Sequence, residues 1–367
     1  MSQSYLLYGG DISYYTGKAR AYLRYKGIPF EERAATRAVY KEIILPRVGW
    51  PVIPVVITPD DVTLQDTSDI IDFLEQRFPE PSVYPLGPRQ RLAALLLEFY
   101  GDEWLKIPAM HYRWNHNTDW IIRQFGALSA PDASPEEQYA IGEQTCRPFR
   151  GSLPALGVTE ATAPAVEQSY EALLRELDAH FAQLPFLLGT RPSIGDFGLI
   201  GPLYAHNYRD PASGALMKRI APRVAAWVER MMDPGPDAGE FCADDAIPET
   251  LMPVLKRLAD EQLPVVVETV RTLNDWLRAN PDEAIPRGIG MHEFTLLRGT
   301  AGAVTGQRAV FPFDQWMFQR PWDYLRTLAG AERAAAEQLL HDMGAAEALA
   351  QPIERRVQRQ HFRLVRV

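Results

Sequence analysis

Along the first eighty residues, apolar positions fall into two rhythms. Tyr5 to Tyr8 form an apolar run ended by Gly9-Gly10, which predicts a strand. A helical spacing runs from Thr16 to Tyr25, and Lys26-Gly27 closes it with a basic last turn and a glycine cap. Ile28-Pro29-Phe30-Glu31-Glu32 is the next expected strand, and residues 37–46 are weakly helical, ending at Pro46. Pro51-Val52-Ile53-Pro54-Val55-Val56-Ile57 is an apolar strand entered through an Ile-Pro bond, and Thr58-Pro59-Asp60-Asp61 turns it into Val62-Thr63-Leu64. A helix from about 66 to 77 carries Ile70, Phe73 and Leu74 on its apolar side. The order βαβ, α, ββα predicts a compact mixed sheet with helices on both sides.

This stretch also carries candidate chemistry. Proline at a strand edge is a place for a cis peptide and leaves neighbouring main chain open to a ligand. The helix start at Leu64-Gln65-Asp66-Thr67-Ser68-Asp69-Ile70-Ile71 is a ready site for a carboxylate. Together they predict a place where a small peptide-like anion lies along the backbone.

Pro79-Glu80-Pro81 and Pro85-Leu86-Gly87-Pro88 form a stiff linker, and the pattern beyond it is helical. Residues 89–114 place Leu92, Leu95, Leu96, Phe99 and Trp104 at helical spacing. Residues 130–135 read as a loop, and a second amphipathic helix spans roughly 164–184. Ser193-x-x-Asp196 has capping-box spacing. The helix it starts contains Gly195, Gly198 and Gly201, which predicts close approach of another backbone on that face. One more helix, about 215–232, stops at Asp233-Pro234-Gly235-Pro236. In the last stretch, a helical pattern over 249–279 contains Pro253 and Pro264 and should kink or break. Phe294-Thr295-Leu296-Leu297 and Arg308-Ala309-Val310-Phe311 predict a β-hairpin near 293–312, followed by helices near 314–328 and 331–349.

Composition narrows the function classes. No apolar run approaches a membrane span, so no membrane association is expected. The opening residues show no basic-then-apolar leader and there are only two cysteines, Cys146 and Cys242, which together point to a reducing cytoplasm. A net charge of −9 argues against nucleic acid as a partner. Arg355, Arg356, Arg359, Arg363 and Arg366 cluster at the tail and are read as a solvated, helix-ending segment. His111 and His116 are five apart, a poor helical spacing for one ion, so no metal is expected.

At this point four motifs coincide in order and spacing with a family. Ser13-Tyr14-Tyr15-Thr16-Gly17-Lys18-Ala19-Arg20 resembles the strand-to-helix segment that holds the catalytic serine or cysteine in several classes of cytosolic glutathione transferases. Ile53-Pro54 resembles their cis-proline element, Leu64 to Ile70 their Leu-x-Glu/Gln-Ser-x-x-Ile, and Pro192-Ser193-Ile194-Gly195-Asp196 their helical-domain capping box. The resemblance implies an α/β plus all-α fold: a thioredoxin-like glutathione-binding domain over 1–84, a helical C-terminal domain over 85–232, and a mainly helical extension over 233–367 without counterpart in an ordinary member. It also implies glutathione as co-substrate, an electrophilic small molecule as its partner in reaction, and a homodimer.

Residue roles follow from chemistry and resemblance together. A free thiol titrates near 8.5, so only a few per cent is thiolate at neutral pH. A hydroxyl donor at a helix start favours the anion by a hydrogen bond and the positive end of the dipole. Ser13 is placed for this; Tyr14 and Tyr15 are competing donors, and the plain alternative is an N-cap serine. The resemblance implies that Ile53, next to Pro54, binds the cysteinyl part of glutathione through its own N–H and C=O. It gives Thr67 the γ-glutamyl carboxylate and Asp66 the ammonium, with an ordinary helix cap as the alternative. Lys41 is a candidate for the glycyl carboxylate, or simply an exposed lysine. His111, Tyr112, Trp114 and His116 are candidates for a polar aromatic wall of the electrophile pocket, or for packing. The expected activity is thiol activation for attack on an electrophile. The rival is a non-catalytic binding or assembly module, with the extension as its surface. Thiol reduction is disfavoured by serine at position 13.

Overall fold

Four short strands build the sheet on which the candidate site stands. A computed structural model describes residues 4–235 and 237–367. Its strands are β1 (Tyr5–Gly9), β2 (Phe30–Ala34), β3 (Val55–Ile57) and β4 (Thr63–Gln65), in the order β2-β1-β3-β4. The β1–β2 pair is parallel, and β3 runs antiparallel to both β1 and β4. Two helices, Tyr14–Tyr25 and Thr67–Arg77, bury Ala19, Tyr22, Leu23, Ile70, Ile71 and Leu74. The Tyr22 hydroxyl and the Lys26 ammonium both donate to Glu75, at 2.8 Å each, and so join the two helices.

Prolines set several of the element ends, not always where the pattern suggested. β2 starts at Phe30 rather than Ile28, because the ladder begins with the Pro29 carbonyl accepting from Tyr5 N–H at 3.0 Å, while Ile28 N–H turns back to Leu23 O. The middle helical segment does not stop at Pro46. A π-helical turn over Tyr40–Ile44 leads into Leu45–Val48, where Pro46 sits in the first turn and its missing N–H costs nothing; Gly49, at φ +80°, ends it. The Ile53-Pro54 bond is cis, but it precedes the strand, and β3 is paired on both sides rather than at an edge. The expected single helix over 215–232 is two, Pro211–Ile220 and Pro222–Met232, because Pro222 drives Ala221 out of the helical region to φ −144°, ψ 63°.

The chain divides into two compact units, each drawn from three segments. One comprises the chain up to Val83 together with Ala109–Ser152 and Leu199–Ala238; the other comprises Tyr84–Pro108, Leu153–Gly198 and Gly239–Val367. The first unit holds the sheet and a helical hairpin, Thr118–Ser129 with Pro135–Gly151, the second helix opened by a Ser134–Glu137 capping box. Gly126 and Gly142 let these two backbones touch: a Cβ on either would lie 2.0 Å from a carbonyl oxygen of the other helix.

In the second unit the capping aspartate is fully buried. Asp196 accepts from Ser193 N–H (2.8 Å), Ser193 Oγ (2.9 Å) and Leu187 N–H (3.1 Å). Gly198 lies against the main chain of Glu98, the close approach expected of that glycine face. Residues from Gly239 onward share this unit's core rather than trailing from it. Glu261, buried, accepts from Ser169 Oγ, Trp104 Nε1 and Leu297 N–H. The long helical pattern breaks at Gln262, between Met252–Glu261 and Leu263–Ala279. The hairpin is present as β5 (Met291–Leu296) and β6 (Val304–Ala309).

The arginine-rich tail is not a solvated helix end. It is a second hairpin, β7 (Val357–Gln360) with β8 (Arg363–Arg366), turning through His361 and Phe362 at φ +48° and +61°. Arg356 pairs with Asp323 (2.7 Å), Arg359 lies over the Trp316 ring, and Arg366 donates to the Asn280 and Glu283 carbonyls. Among the described residues, no helix is long and apolar enough to cross a membrane.

Gly142→Ala should lower stability by about 1–3 kcal/mol, because the overlap with the Ile122 carbonyl outweighs the gain of roughly 1 kcal/mol in helix propensity. Thermal denaturation checks this; a raised Tm would mean that the two helices do not approach so closely.

Candidate functional site

The sheet register places three candidate segments side by side. Tyr8 on β1 pairs with Val55 on β3, and Val55 pairs with Gln65 on β4, so the three residues form one row across the sheet. Ser13 follows β1 by a short turn, Ile53-Pro54 immediately precedes β3, and Asp66-Thr67 immediately follows β4. All three therefore leave the sheet from the same end. With strands about 4.8 Å apart, β1 and β4 stand roughly 10 Å apart at this row, with β3 between them.

Each segment has its own local cause. Ser13 is the N-cap of the first helix. It is extended (φ −86°, ψ 125°), and its Oγ accepts from Thr16 N–H at 3.3 Å, near the long limit for a hydrogen bond. It is half-buried. Tyr14 is buried beneath Gly201 with its ring edge-on to His206, and its centroid is 4.7 Å from that of the half-buried Tyr15. Ile53 lies outside the ladder, and among the described residues neither its N–H nor its C=O has a hydrogen-bonding partner. Asp66 caps the second helix by accepting from Ser68 N–H at 2.9 Å, in a left-handed conformation (φ +78°) uncommon for a residue with a side chain. Thr67 is the buried first residue of that helix, where main-chain N–H groups lack intrahelical acceptors. A fully buried lysine, Lys18, reaches Ser68 Oγ at 3.4 Å and so links the first helix to the start of the second.

The remaining candidates lie on other elements. Lys41 lies in the π-helical turn and is exposed. His111 and Tyr112 are buried, and the His111, Tyr112 and His116 rings contact one another, with centroids 5.2–5.3 Å apart. His111 Nδ1 is 2.8 Å from the Asn115 side-chain amide. Trp114 is buried against Phe125 of the helical hairpin.

One residue near the row had no sequence signal as a site residue. Arg113, buried on the same helix as His111, donates to both carboxylate oxygens of Asp210 (2.7 and 2.9 Å), to the Ala205 carbonyl (2.7 Å) and to the Ile12 carbonyl (2.7 Å), immediately before Ser13. Its partners lie 92 to 101 residues away, so no local pattern could reveal them. Burial, with Arg113 adding to it, holds His206 well below its ordinary pKa and therefore neutral. Neither of the chain's own thiols is activated: burial pushes Cys146 up to about 12, and Cys242 is also raised by burial.

Family models match two segments of the chain. Residues 7–82 match the family model described as glutathione S-transferase, N-terminal domain, and residues 160–230 match glutathione S-transferase, C-terminal domain. No curated protein matches the chain. Among solved structures, the chain is similar to the beta-etherase LigF of Sphingobium sp. strain SYK-6, at 18% identity over 64% of this chain and 96% of that one, TM-score 0.47. It is similar to the glutathione transferase GSTFuA3 of Phanerochaete chrysosporium at 14% identity, over 65% and 100% of the two chains, TM-score 0.45. A glutathione S-transferase of Methylobacterium radiotolerans, in complex with glutathione sulfonate, is 18% identical over 67% and 98%, TM-score 0.40.

Two outcomes test the local readings. Asp66→Ala should cost about 1–2 kcal/mol, whereas Asp66→Gly, which loses the cap but relieves the positive φ, should stay within about 0.5 kcal/mol of the parent in chemical denaturation. A histidine kept neutral when folded, but protonating near 6.5 when unfolded, makes stability fall as pH drops below about 6.5. The slope approaches about 1.4 kcal/mol per pH unit for one group. His206→Leu should flatten the pH dependence of urea unfolding between roughly pH 6.5 and 5 by that amount; an unchanged slope would place the proton elsewhere.

Proposed function

We propose that this chain, which belongs to the glutathione S-transferase superfamily, binds glutathione along the row of Ser13, Ile53 and Asp66-Thr67 and activates its thiol for attack on an electrophilic small molecule. The observation that carries the reading is the shared sheet row, Tyr8–Val55–Gln65, which brings the three segments to one end of the sheet.

In this reading the γ-glutamyl carboxylate meets Thr67 at the N-terminus of the second helix, where an anion is favoured by the dipole. The Asp66 carboxylate faces the ammonium. Ile53, whose main-chain groups are unpaired among the described residues, pairs with the cysteinyl residue as a short added strand would. That alignment delivers the sulfur toward Ser13, at the N-terminus of the first helix. The thiol proton leaves to solvent, and Ser13 donates a hydrogen bond from its hydroxyl to the thiolate that remains, while its oxygen still accepts from Thr16 N–H. Tyr14 is buried in packing, so Tyr15 is the remaining competitor for that role. Stabilising the anion by about 1.4–2.8 kcal/mol would lower the thiol by one to two pKa units and bring it near neutrality. The sulfur then attacks the electrophilic carbon and displaces the leaving group with its electron pair. Lys41 and the His111, Tyr112 and Trp114 group belong to the same reading as candidates for the glycyl carboxylate and the electrophile's surroundings, and a cytoplasmic homodimer is its natural form.

Retention on immobilised glutathione, with elution by free glutathione, tests binding. Turnover of chlorodinitrobenzene tests chemistry. Ser13→Ala is expected to lower kcat/KM by about tenfold to a hundredfold while leaving retention intact. Full activity in that variant would transfer the role to Tyr15, and no retention at millimolar glutathione would favour a non-catalytic module instead.

A further inference from the structure

The Ile12–Ser13 peptide is held from both sides. Its N–H donates to the Gly10 carbonyl at 3.0 Å, and its C=O accepts from Arg113 Nη1 at 2.7 Å. The first bond is a tight local turn that any sequence of this length could make. The second comes from a residue 101 positions away, and the guanidinium that supplies it is itself immobilised. Two of its donors grip both oxygens of Asp210 and a third contact goes to Ala205 O, all within 2.9 Å. Asp210 is fully buried and is the N-cap residue of Pro211–Ile220; Ala205 ends the helix Ile194–Ala205. One planar cation thus ties the turn before Ser13 to two helix ends.

By contrast, Ser13 is held weakly through its side chain. Its Oγ is 3.3 Å from Thr16 N–H, so little besides the backbone fixes the direction of the hydroxyl. If Arg113 were gone, the carbonyl of the buried Ile12 would lose its partner and its desolvation would go uncompensated. Rotation of that peptide would relieve the cost and would carry Ser13 with it. The charge of Arg113 matters less than its shape. Asp210 cancels most of its long-range field, and lysine, with one ammonium, cannot span Ile12 O, Ala205 O and a bidentate carboxylate together.

We infer that Arg113 is a positioning residue for thiol activation, acting through the Ile12 carbonyl to fix Ser13. This rests on the reading that Ser13 serves glutathione sulfur.

The test is a double-mutant cycle on kcat/KM with reduced glutathione and chlorodinitrobenzene. Arg113→Lys should lower kcat/KM by about tenfold, mainly in kcat, with KM for glutathione changed by less than about threefold. In a Ser13→Ala background the same substitution should have almost no further effect, within about twofold, because the group it positions is already absent. A purely structural arginine would instead give losses that multiply. Multiplying losses, or an unaffected Arg113→Lys variant, would overturn the inference while leaving Ser13 in place. Should Arg113→Lys fail to fold by circular dichroism, Asp210→Asn replaces it; it leaves one acceptor for the guanidinium and should show the same dependence on Ser13. If the unmodified protein neither binds nor turns over glutathione, the functional reading itself has failed, and the inference falls with it.

Discussion

Everything proposed for this molecule depends on the pairing of three-residue β3 with its two neighbours. Val55, Val56 and Ile57 are all buried, so both faces of the strand are covered and the apolar pattern alone would not choose its register. Proline chooses it. Pro54 has no N–H to give to a ladder, so pairing begins at Val55, opposite Tyr8 on one side and Gln65 on the other. A slip by one residue would turn each side chain to the opposite face and would pull Ile53 away from the level of Ser13 and Asp66. The geometry of a site some 10 Å long thus hangs on one imino acid.

Much of this was legible in the sequence. Local causes were read well because they act within a few residues: the apolar run of β1, the Gly27 end of the first helix, the Ser193–Asp196 box, the break before Pro264 and the hairpin near 293–312. The two-residue error at β2 and the missed break in the 215–232 helix come from weighing apolar pattern above the missing N–H of Pro29 and Pro222. The tail was misread for a different reason. A two-residue turn with positive φ ordinarily signals itself with Asn or Gly, and here the residues are His361 and Phe362. The hairpin itself is anchored by contacts outside it, including Arg359 over Trp316 and Arg356 on Asp323.

The candidate site divides in the same way. Ser13, Ile53, Asp66 and Thr67 sit at helix starts and a strand entry, positions with recognisable spacing, and the sheet brings them to one end. Arg113 occupies an ordinary amphipathic position and gains its meaning only from Ile12, Ala205 and Asp210. Long-range charge pairs leave no periodic trace. The inner arrangement of the second unit was hidden for that reason too: Glu261 joins Ser169, Trp104 and Leu297, which lie far apart along the chain.

The burial of the chain's own sulfur has a further consequence. Cys146 lies in the core with its thiol pushed up to about 12, and Cys242 is raised as well, so at physiological pH the folded protein presents almost no thiolate. Soft alkylating agents and peroxides, which seek thiolate, find no ready target on it. The folded chain should therefore survive in the company of compounds that inactivate ordinary cysteine proteins.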